Sequence, residues 1–283
     1  MISVIIPVYK NKSLFIKNLE KNIHFLDDCQ IIIVNDNPQE KLKKEIEDLI
    51  KKKKQIINLS IIENKKNLGF GQSINIGAKR AKGKYLMLLN SDVILLNKAF
   101  LNAIDYFKQD KNLFAVSFAQ IEKNGKIVGK NRIFWEKGFY QHQNDDNLLF
   151  GETGWAEGGS CIIDLQKFNR LGGFNPIFSP FYWEDIDLSY QAKKHGFKII
   201  FDPKIKVIHH HQATIGKYFK KSEIEKVAFC HQFLFTWKNI GNLKKLAEHL
   251  FFLPYYFIFF AFKGKTSFFL GFIQALKKYL LNK

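Results

Sequence analysis

The side chains best placed for chemistry are three acids within four positions, Glu184, Asp185 and Asp187. The residues that follow have a helical pattern up to Gly196, so the acids lie at the start of a predicted helix. A helix N-terminus favours a carboxylate and keeps it ionised at neutral pH, as a general base acting on a hydroxyl requires. The acids could equally do no more than cap the N–H groups of the first turn.

Three polar clusters each follow a predicted strand: Tyr9-Lys10-Asn11, Asn35-Asp36-Asn37 and Asn90-Ser91-Asp92. Ligands of open α/β sheets bind outside the carboxyl ends of the strands. Asn and Asp also form turns without any other role. Three clusters converging on one edge nevertheless predict a nucleotide pocket.

A metal site could lie at the same edge. Asp92 follows the apolar run 85–89, and a carboxylate is a suitable ligand for Mg²⁺ or Mn²⁺ bridging a diphosphate. A second protein ligand could come from His209, His210 or His211, which follow another predicted strand. Alternation along that strand would point the first and third of these the same way. A histidine run on the surface is the alternative.

Glycines at positions 69 and 71 precede a predicted helix and would let backbone N–H groups approach an anion. Neither a G-x-G-x-x-G turn after a strand nor the Gly-Lys-Ser/Thr of a P-loop is present. Dinucleotide-binding folds and P-loop NTPases are therefore disfavoured.

The elements that must position these groups alternate between apolar strands and helices. The predicted strands are residues 3–8, 31–34, 59–62, 85–89, 158–163, 197–201 and 204–209, and the predicted helices are 13–26, 39–54, 71–81, 181–196 and several beyond 217. Such alternation is typical of βαβ units around a mostly parallel sheet.

The composition narrows the class of protein further. A chain of 283 residues with 46% hydrophobic residues can form one large α/β domain with an appendage, or two small domains. The net charge of +18 favours polyanionic partners: nucleic acid, anionic lipid or phosphorylated substrates. Three separated cysteines form no disulfide framework, and the chain begins directly with a strand-like run rather than a signal peptide. We therefore expect a cytoplasmic protein.

The C-terminal region combines aromatic and basic residues. Residues 250–262 are apolar but too few to span a bilayer, and Lys263 and Lys265 separate them from a second apolar stretch, 268–276. This pattern favours helices lying on an anionic membrane surface, at the inner face of the cell membrane. Packing on the rest of the chain or a dimer interface is the alternative. Aromatic residues concentrated here disfavour nucleic acid.

Six segments together resemble a known family. They are SVIIPVY, VNDNP, NLGFGQSINIGAKRAKGKYLMLLNSDV, GGSCIIDLQKFNRLGGFNP, FYWEDIDLSYQAKKHGFKI and the strand ending in VIHHH. In this order and spacing, over about residues 1–215, the chain resembles the inverting family 2 of glycosyltransferases. The resemblance implies the GT-A fold: an α/β fold with a mostly parallel central sheet flanked by helices, here with a helical C-terminal extension.

The resemblance also implies a site for a nucleoside-diphosphate sugar. The residues expected to bind it are Pro7, Val8, Tyr9, Asp36, Asn67, Gly69, Asn75, Asn90, Ser91 and Asp92. Asn90-Ser91-Asp92 occupies the DxD position of the family, with Asn90 in place of the first acid. Asp92 would thus bind Mg²⁺ or Mn²⁺, with His209 as the best match for the metal-side histidine and His211 as the second choice.

Glu184 and Asp185 match the ED motif of the family. The resemblance implies that Asp185 is the catalytic base beside Glu184, while Gly158, Gly159 and Trp183 adjoin the donor sugar and the acceptor. The implied reaction is a single displacement by a hexosyl- or deoxyhexosyltransferase. Its acceptor would be a glycan or a polyprenyl-linked lipid of surface polysaccharide synthesis, as for rhamnosyltransferase-like enzymes.

We predict a catalytic domain over residues 1–216, with a nucleotide-binding half (1–95) and an acceptor-binding half (96–216). Residues 217–283 would form a membrane-associating helical region, and an oligomer is possible. A sugar nucleotidyltransferase is the first alternative, but the Gly-rich basic loop expected after its first strand is absent. A non-catalytic lipid- or polyanion-binding protein is the second, and Glu184, Asp185 and Asp92 argue against it.

Overall fold

A computed structural model of the chain describes residues 1–53, 58–209 and 215–281. The strands are β1 (Ile2–Val8), β2 (Gln30–Asn35), β3 (Leu59–Glu63), β4 (Tyr85–Leu89), β5 (Val93–Leu95), β6 (Leu113–Ile121), β7 (Ile127–Val128), β8 (Asn131–Glu136), β9 (Phe139–Asn144), β10 (Gly151–Glu152), β11 (Ser160–Asp164) and β12 (Lys198–His209). The helices are α1 (Lys12–Asn22), α2 (Lys43–Lys53), α3 (Phe70–Ala78), α4 (Ala103–Gln109), α5 (Leu165–Arg170), α6 (Glu184–Lys194), α7 (Ile215–Tyr218), α8 (Lys221–Asn239), α9 (Leu243–Phe262) and α10 (Thr266–Leu281).

One mixed sheet forms the centre of the molecule. Within the described residues it has ten strands, and its main path runs β10-β12-β6-β11-β4-β1-β2-β3. Strands β3, β2, β1 and β4 are parallel, while β11 runs antiparallel to β4 and β6. Strands β1, β2 and β4 are almost entirely buried, because helices cover both faces of this part of the sheet. The predicted α/β class, with its flanking and C-terminal helices, is confirmed.

The ends of several predicted elements differ from the structure by a few residues, and two of the differences have a clear physical cause. The helix predicted from residue 39 begins at Lys43, because the side chain of Asn37 accepts a hydrogen bond from the Gln39 N–H and holds a turn; its predicted end at Lys54 lies outside the described residues. The two strands predicted at 197–201 and 204–209 are one strand, β12, with an irregular register between Asp202 and Lys206. Pro203 lies in that irregularity and has no N–H to donate.

The C-terminal helices pack on the second half of the sheet domain. Helices α8 and α10 bury aromatic residues against the β8–β9 hairpin and against the start of α6. The two helices cross closely at Gly271, where a Cβ atom would lie 2.8 Å from the backbone oxygen of Lys226. The region predicted as an appendage at residues 217–283 therefore shares a hydrophobic core with the acceptor-side half.

Candidate active site

A cavity of about 530 Å³ opens beyond the carboxyl ends of β1, β2 and β4. It is lined by most of the predicted site residues: Pro7, Val8, Tyr9, Asp36, Asn67, Gly69, Asn90, Ser91, Asp92, Gly158, Gly159, Glu184, Asp185 and His209. The topology explains this convergence, because parallel neighbouring strands end at the same edge. Residues as far apart in the sequence as Pro7 and His209 thus face one volume.

Asp36 holds the loop on the donor side of the cavity. One carboxylate oxygen accepts hydrogen bonds from the Asn64 amide and the Leu68 N–H, at 2.9 and 2.8 Å, and the other accepts one from the Gly69 N–H at 2.8 Å. Burial raises the pKa of Asp36, and these hydrogen bonds oppose that rise. Asp36 therefore fixes the backbone at the start of α3; its predicted contact with a nucleotide stays a prediction.

Three glycines let the walls of the cavity approach each other. Gly69 has φ +84°, and a Cβ there would lie 2.5 Å from the backbone oxygen of Pro180. A Cβ at Gly158 would meet the Phe70 ring at 2.9 Å, and one at Gly159 would meet the Asn90 amide nitrogen at 2.6 Å. Any side chain at these positions would push apart the loops that line the cavity.

Asp92 and His209 face each other at the cavity edge. Asp92 Oδ1 lies 3.4 Å from His209 Nε2, and His209 Nδ1 lies 2.7 Å from Gln120 Oε1. The Gln120 amide oxygen can only accept, so Nδ1 is a protonated nitrogen, and in the neutral ring Nε2 carries a lone pair toward Asp92. A carboxylate oxygen beside an imidazole nitrogen fits a divalent cation, and the Gln120 contact is the outer hydrogen bond that orients such a ligand.

This pair matches two of the three predicted metal ligands, while His211 lies outside the described residues. Among the residues that are described, no group of three or more His, Cys, Asp or Glu side chains is arranged to hold a metal ion. Two protein ligands suffice only if a bound ligand supplies the others, as a diphosphate would. The residues thus fit a metal that binds together with an anionic substrate.

Glu184 and Asp185 lie side by side on the opposite wall. Asp185 Oδ2 accepts a hydrogen bond from the Gly158 N–H at 3.1 Å, and Oδ1 accepts one from the Ile186 N–H at 2.8 Å. Glu184 is buried, and within the described chain its Oε2 has no hydrogen-bond partner. Burial raises the pKa of both carboxyls. The N–H groups of Gly158, Ile186 and Asp185 itself oppose the rise at Asp185, whereas at Glu184 only its own N–H does so. Asp185 is therefore the member of the pair that ionises first.

Asp187, the third acid of the cluster, has a structural contact. Both of its carboxylate oxygens accept hydrogen bonds from the Lys238 ammonium group on α8, at 2.8 and 2.7 Å. Its side chain is 3% exposed, so it is removed from the cavity. The first-turn acids of α6 thus divide between the cavity and the C-terminal helices.

Two predicted ligand-binding residues do not line the cavity. The side chain of Asn75 bridges to the backbone of Phe174, accepting from its N–H at 2.9 Å and donating to its carbonyl at 2.7 Å. Trp183 is 4% exposed and packs between His142 and Phe235. The ring of Trp183, whose backbone is left-handed, lies in the core, whereas its neighbour Tyr182 lines the cavity.

Glu157 is a cavity residue that the sequence pattern did not bring out. Its Oε1 accepts a hydrogen bond from the Asn131 amide at 2.7 Å, and burial together with the charge of Asp185 raises its pKa to about 7. The one sequence feature that could have indicated Glu157 is its position directly before Gly158-Gly159, which were predicted to lie at the site. Trp155 and Phe219 also line the cavity, and only the folded chain brings them there.

The sequence profile described as glycosyl transferase family 2 matches residues 3–172, which is more than half of the chain. Rhamnosyltransferase WbbL of Escherichia coli is 23% identical over 242 residues, covering 78% of this chain and 88% of that protein. An uncharacterized glycosyltransferase of Methanocaldococcus jannaschii is 32% identical over 134 residues, or 45% of each chain. The chain thus spans less than half of this archaeal relative.

Solved structures share the fold. GalNAc-T7 with UDP, GalNAc and Mn²⁺ superposes with a TM-score of 0.62 at 17% identity, covering 84% of this chain and 47% of that one. The mannosyltransferase PcManGT of Pyrobaculum calidifontis, in complex with GDP-Man and Mn²⁺, gives 0.59 at 13% identity, covering 96% and 73%.

The mixed sheet, with its flanking helices and a cavity at the carboxyl ends of its parallel strands, has the GT-A glycosyltransferase fold. The chain belongs to glycosyl transferase family 2. This membership confirms the predicted class of enzyme and argues against the nucleotidyltransferase alternative.

Proposed function

We propose that the protein is an inverting glycosyltransferase that uses Asp185 as its base. Its donor is a nucleoside-diphosphate hexose or deoxyhexose, and its acceptor is a hydroxyl of a glycan or polyprenyl-linked lipid in surface polysaccharide synthesis. The observation that carries the proposal is the Asp185 carboxylate, which is fixed by two N–H groups and faces the same cavity as Asp92 and His209. The rhamnosyltransferase and O-antigen biosynthesis proteins among the relatives support the substrate class.

The chemistry is one displacement. The Asp185 carboxylate takes the proton of the acceptor hydroxyl while that oxygen bonds to the anomeric carbon. The bond between the anomeric carbon and the phosphate oxygen breaks, and its electron pair leaves with the nucleoside diphosphate. Because attack and departure occur on opposite faces, the anomeric configuration inverts.

Asp92 and His209 would hold the divalent cation. When bound, Mg²⁺ or Mn²⁺ supplies Lewis-acid stabilisation of charge on the diphosphate. Gln120 keeps the His209 ring in the tautomer that ligation needs, and Gly159 lets this ring and Asn90 approach the cavity. The glycosyltransferase structures that contain Mn²⁺ support this assignment.

Replacing Asp185 tests the base assignment directly. We expect Asp185→Asn to lower the rate of transfer by about 10²–10⁴-fold, the range that general bases contribute, while the donor still binds. Release of nucleoside diphosphate from a panel of UDP-, GDP- and dTDP-sugars with Mn²⁺ gives the rate, and thermal shift gives donor binding. Asp48→Asn, on the exposed face of α2, is the matched control. A D185N enzyme that keeps its rate, or loses donor binding as well, would contradict the assignment.

We also propose that the enzyme docks on anionic membranes through α9 and α10. None of the helices in the described ranges is long and apolar enough to cross a membrane. One face of α9 packs inward, while the other exposes Phe251, Tyr255, Ile258 and Phe262 at helical spacing. Helix α10 exposes Leu270, Ile273, Leu280 and Leu281 in the same way, and Lys263 and Lys277 flank these residues. Apolar faces with basic neighbours fit an interface of anionic headgroups.

Vesicle co-sedimentation tests this docking. We expect the protein to sediment with phosphatidylglycerol-containing vesicles, and the double change Phe251→Glu and Ile258→Glu to abolish binding. Leu149→Glu is the control, since Leu149 is 71% exposed on a loop away from these helices. A wild type that stays in the supernatant without detergent, or a dimer in which this face is covered, would overturn the proposal.

A further inference from the structure

We propose that Lys278 and His231, on the C-terminal helices, are positioning residues for the loop 176–183 that leads into the catalytic acids. The proposal rests on the proposed function, because it takes Asp185 as the base. It assigns to α8 and α10 a part in catalysis that neither the family match, which ends at residue 172, nor the membrane docking requires.

The Lys278 ammonium group reaches from α10 under this loop. It donates hydrogen bonds to the carbonyl oxygens of Ile177 and Ser179, both at 2.8 Å, and lies 3.2 Å from His231 Nε2. An ammonium group has three protons and no acceptor, so these three contacts match its donors. Burial lowers the pKa of Lys278, which marks a charge held away from bulk solvent.

The contacts of Lys278 determine the state of His231. Because Nε2 faces a donor, it must accept, and the neutral ring then carries its proton on Nδ1. Nδ1 lies 2.9 Å from the carbonyl of Tyr182 and 3.1 Å from that of Phe181. Burial and the charge of Lys278 lower the pKa of His231 to about 3, so the ring stays neutral. A directed chain of hydrogen bonds thus runs from α10 through α8 to the loop.

The loop needs such support because its backbone is strained. Tyr182 and Trp183 have φ values of +70° and +72°, in the left-handed region that non-glycine residues rarely adopt. The residues immediately after them are Glu184 and Asp185. Any relaxation of the two left-handed residues would therefore move the start of α6 and the base.

The opposite side of the same loop contacts the donor side of the cavity. The Phe70 N–H donates to the Pro180 carbonyl at 3.0 Å, and the Ser179 hydroxyl donates to the Leu68 carbonyl at 3.2 Å. Pro180, Phe181 and Tyr182 line the cavity. The loop is therefore held between the predicted nucleotide-binding loop and the C-terminal helices, and the latter contacts set its distance from Asp185.

The test compares Lys278→Met with Lys277→Met, its exposed neighbour on α10. The assay is nucleoside-diphosphate release from whichever sugar nucleotide the wild type turns over fastest, in detergent without vesicles. We expect Lys278→Met to lower kcat about 10-fold with the donor KM within twofold, and Lys278→Arg, which keeps the donors, to recover most of the rate. Equal kcat for the Met variants at 278 and 277, or a parallel loss of kcat and donor binding, would overturn the proposal.

A pair of His231 variants gives an independent test if Lys278→Met does not fold. An Asn amide nitrogen can occupy the place of Nδ1, whereas a Gln amide group reaches only the place of Nε2. We expect His231→Asn to keep a severalfold higher kcat than His231→Gln, and the reverse order would contradict the inference. Failure of the proposed function itself is distinguishable, because then wild type transfers no sugar or D185N stays active.

Discussion

The two walls of the active-site cavity are supported in different ways. The wall proposed to bind the donor, here called the donor wall, carries Asp36, Asn90 and Asp92. These residues follow buried parallel strands, and their loops are held mainly by hydrogen bonds within the sheet domain. The wall proposed to bind the acceptor, here called the acceptor wall, consists of the loop 176–183 and the start of α6. Side chains from α8 and α10 hold both of these segments. The donor wall is thus held within the sheet domain, whereas the acceptor wall has contacts with both the sheet domain and the C-terminal helices.

The family match covers the two walls unequally. Residues 3–172 include the donor wall and Gly158-Gly159, but end before the Glu184-Asp185 pair. We expect substitutions on the two walls to separate donor binding from the later steps.

The largest effect should come from the donor wall. Asp92→Ala removes the carboxylate proposed to hold the metal, and Lewis-acid stabilisation is worth several kcal/mol, so kcat/KM should fall by about 100-fold or more. Thermal stabilisation by a sugar nucleotide should no longer depend on Mn²⁺. Asp48→Ala serves as the control, and an unchanged Mn²⁺ dependence in D92A would remove Asp92 from the metal site.

The next-largest effect is expected on the acceptor wall, in the stability of the protein. Lys238→Met leaves the buried Asp187 carboxylate without its partner, and the free energy of unfolding should fall by about 2–3 kcal/mol, because Lys238 is itself one-third exposed. Denaturant unfolding measures this loss against Lys244→Met, an exposed lysine of α9. Equal stability of the two variants would mean that the ion pair does not tie α6 to α8.

A smaller effect is expected where the donor wall is tightest. In Gly159→Ala the new methyl group would meet the Asn90 amide at 2.6 Å, and the displacement should weaken sugar-nucleotide binding about 10-fold. Gly241→Ala is the control, since a Cβ there comes no closer than 4.0 Å to its nearest neighbour. Unchanged binding in G159A would show that Asn90 can move at no cost.

The smallest effect is expected in the pH dependence of kcat/KM, which depends on the acceptor wall. Burial raises the pKa of Asp185, and the base must be ionised, so kcat/KM should fall as the pH is lowered through a value above the ordinary Asp pKa of about 3.9. Glu157, whose pKa is about 7, is already neutral over the acidic range in which Asp185 titrates, so Glu157→Gln should leave this limb in place. A limb that moves to lower pH in E157Q would mean that Glu157 is still ionised where Asp185 titrates.

The sequence was sufficient for the donor wall because its signals are local. Each buried strand ends in a polar cluster, and parallel strands place those ends together, so the positions of Asp36 and Asp92 followed from pattern and topology. Asn75 shows the limit of such local signals. It lies close in sequence to the loop at Gly69, but its amide faces the backbone of Phe174, which is 99 positions away.

Only the tertiary structure decided the acceptor wall. The sequence alone determined the α/β class, the family and the acids at the start of α6. Without the family resemblance it could not separate the three acids, because the contact that distinguishes Asp187 from Asp185 is with Lys238, 51 positions later in the chain. Nor could it turn Trp183 into the core, bring Glu157 beside Asp185 or place Lys278 under the loop. These depend on long-range packing of aromatic helices, and such contacts leave no periodic signal near the residues that they position.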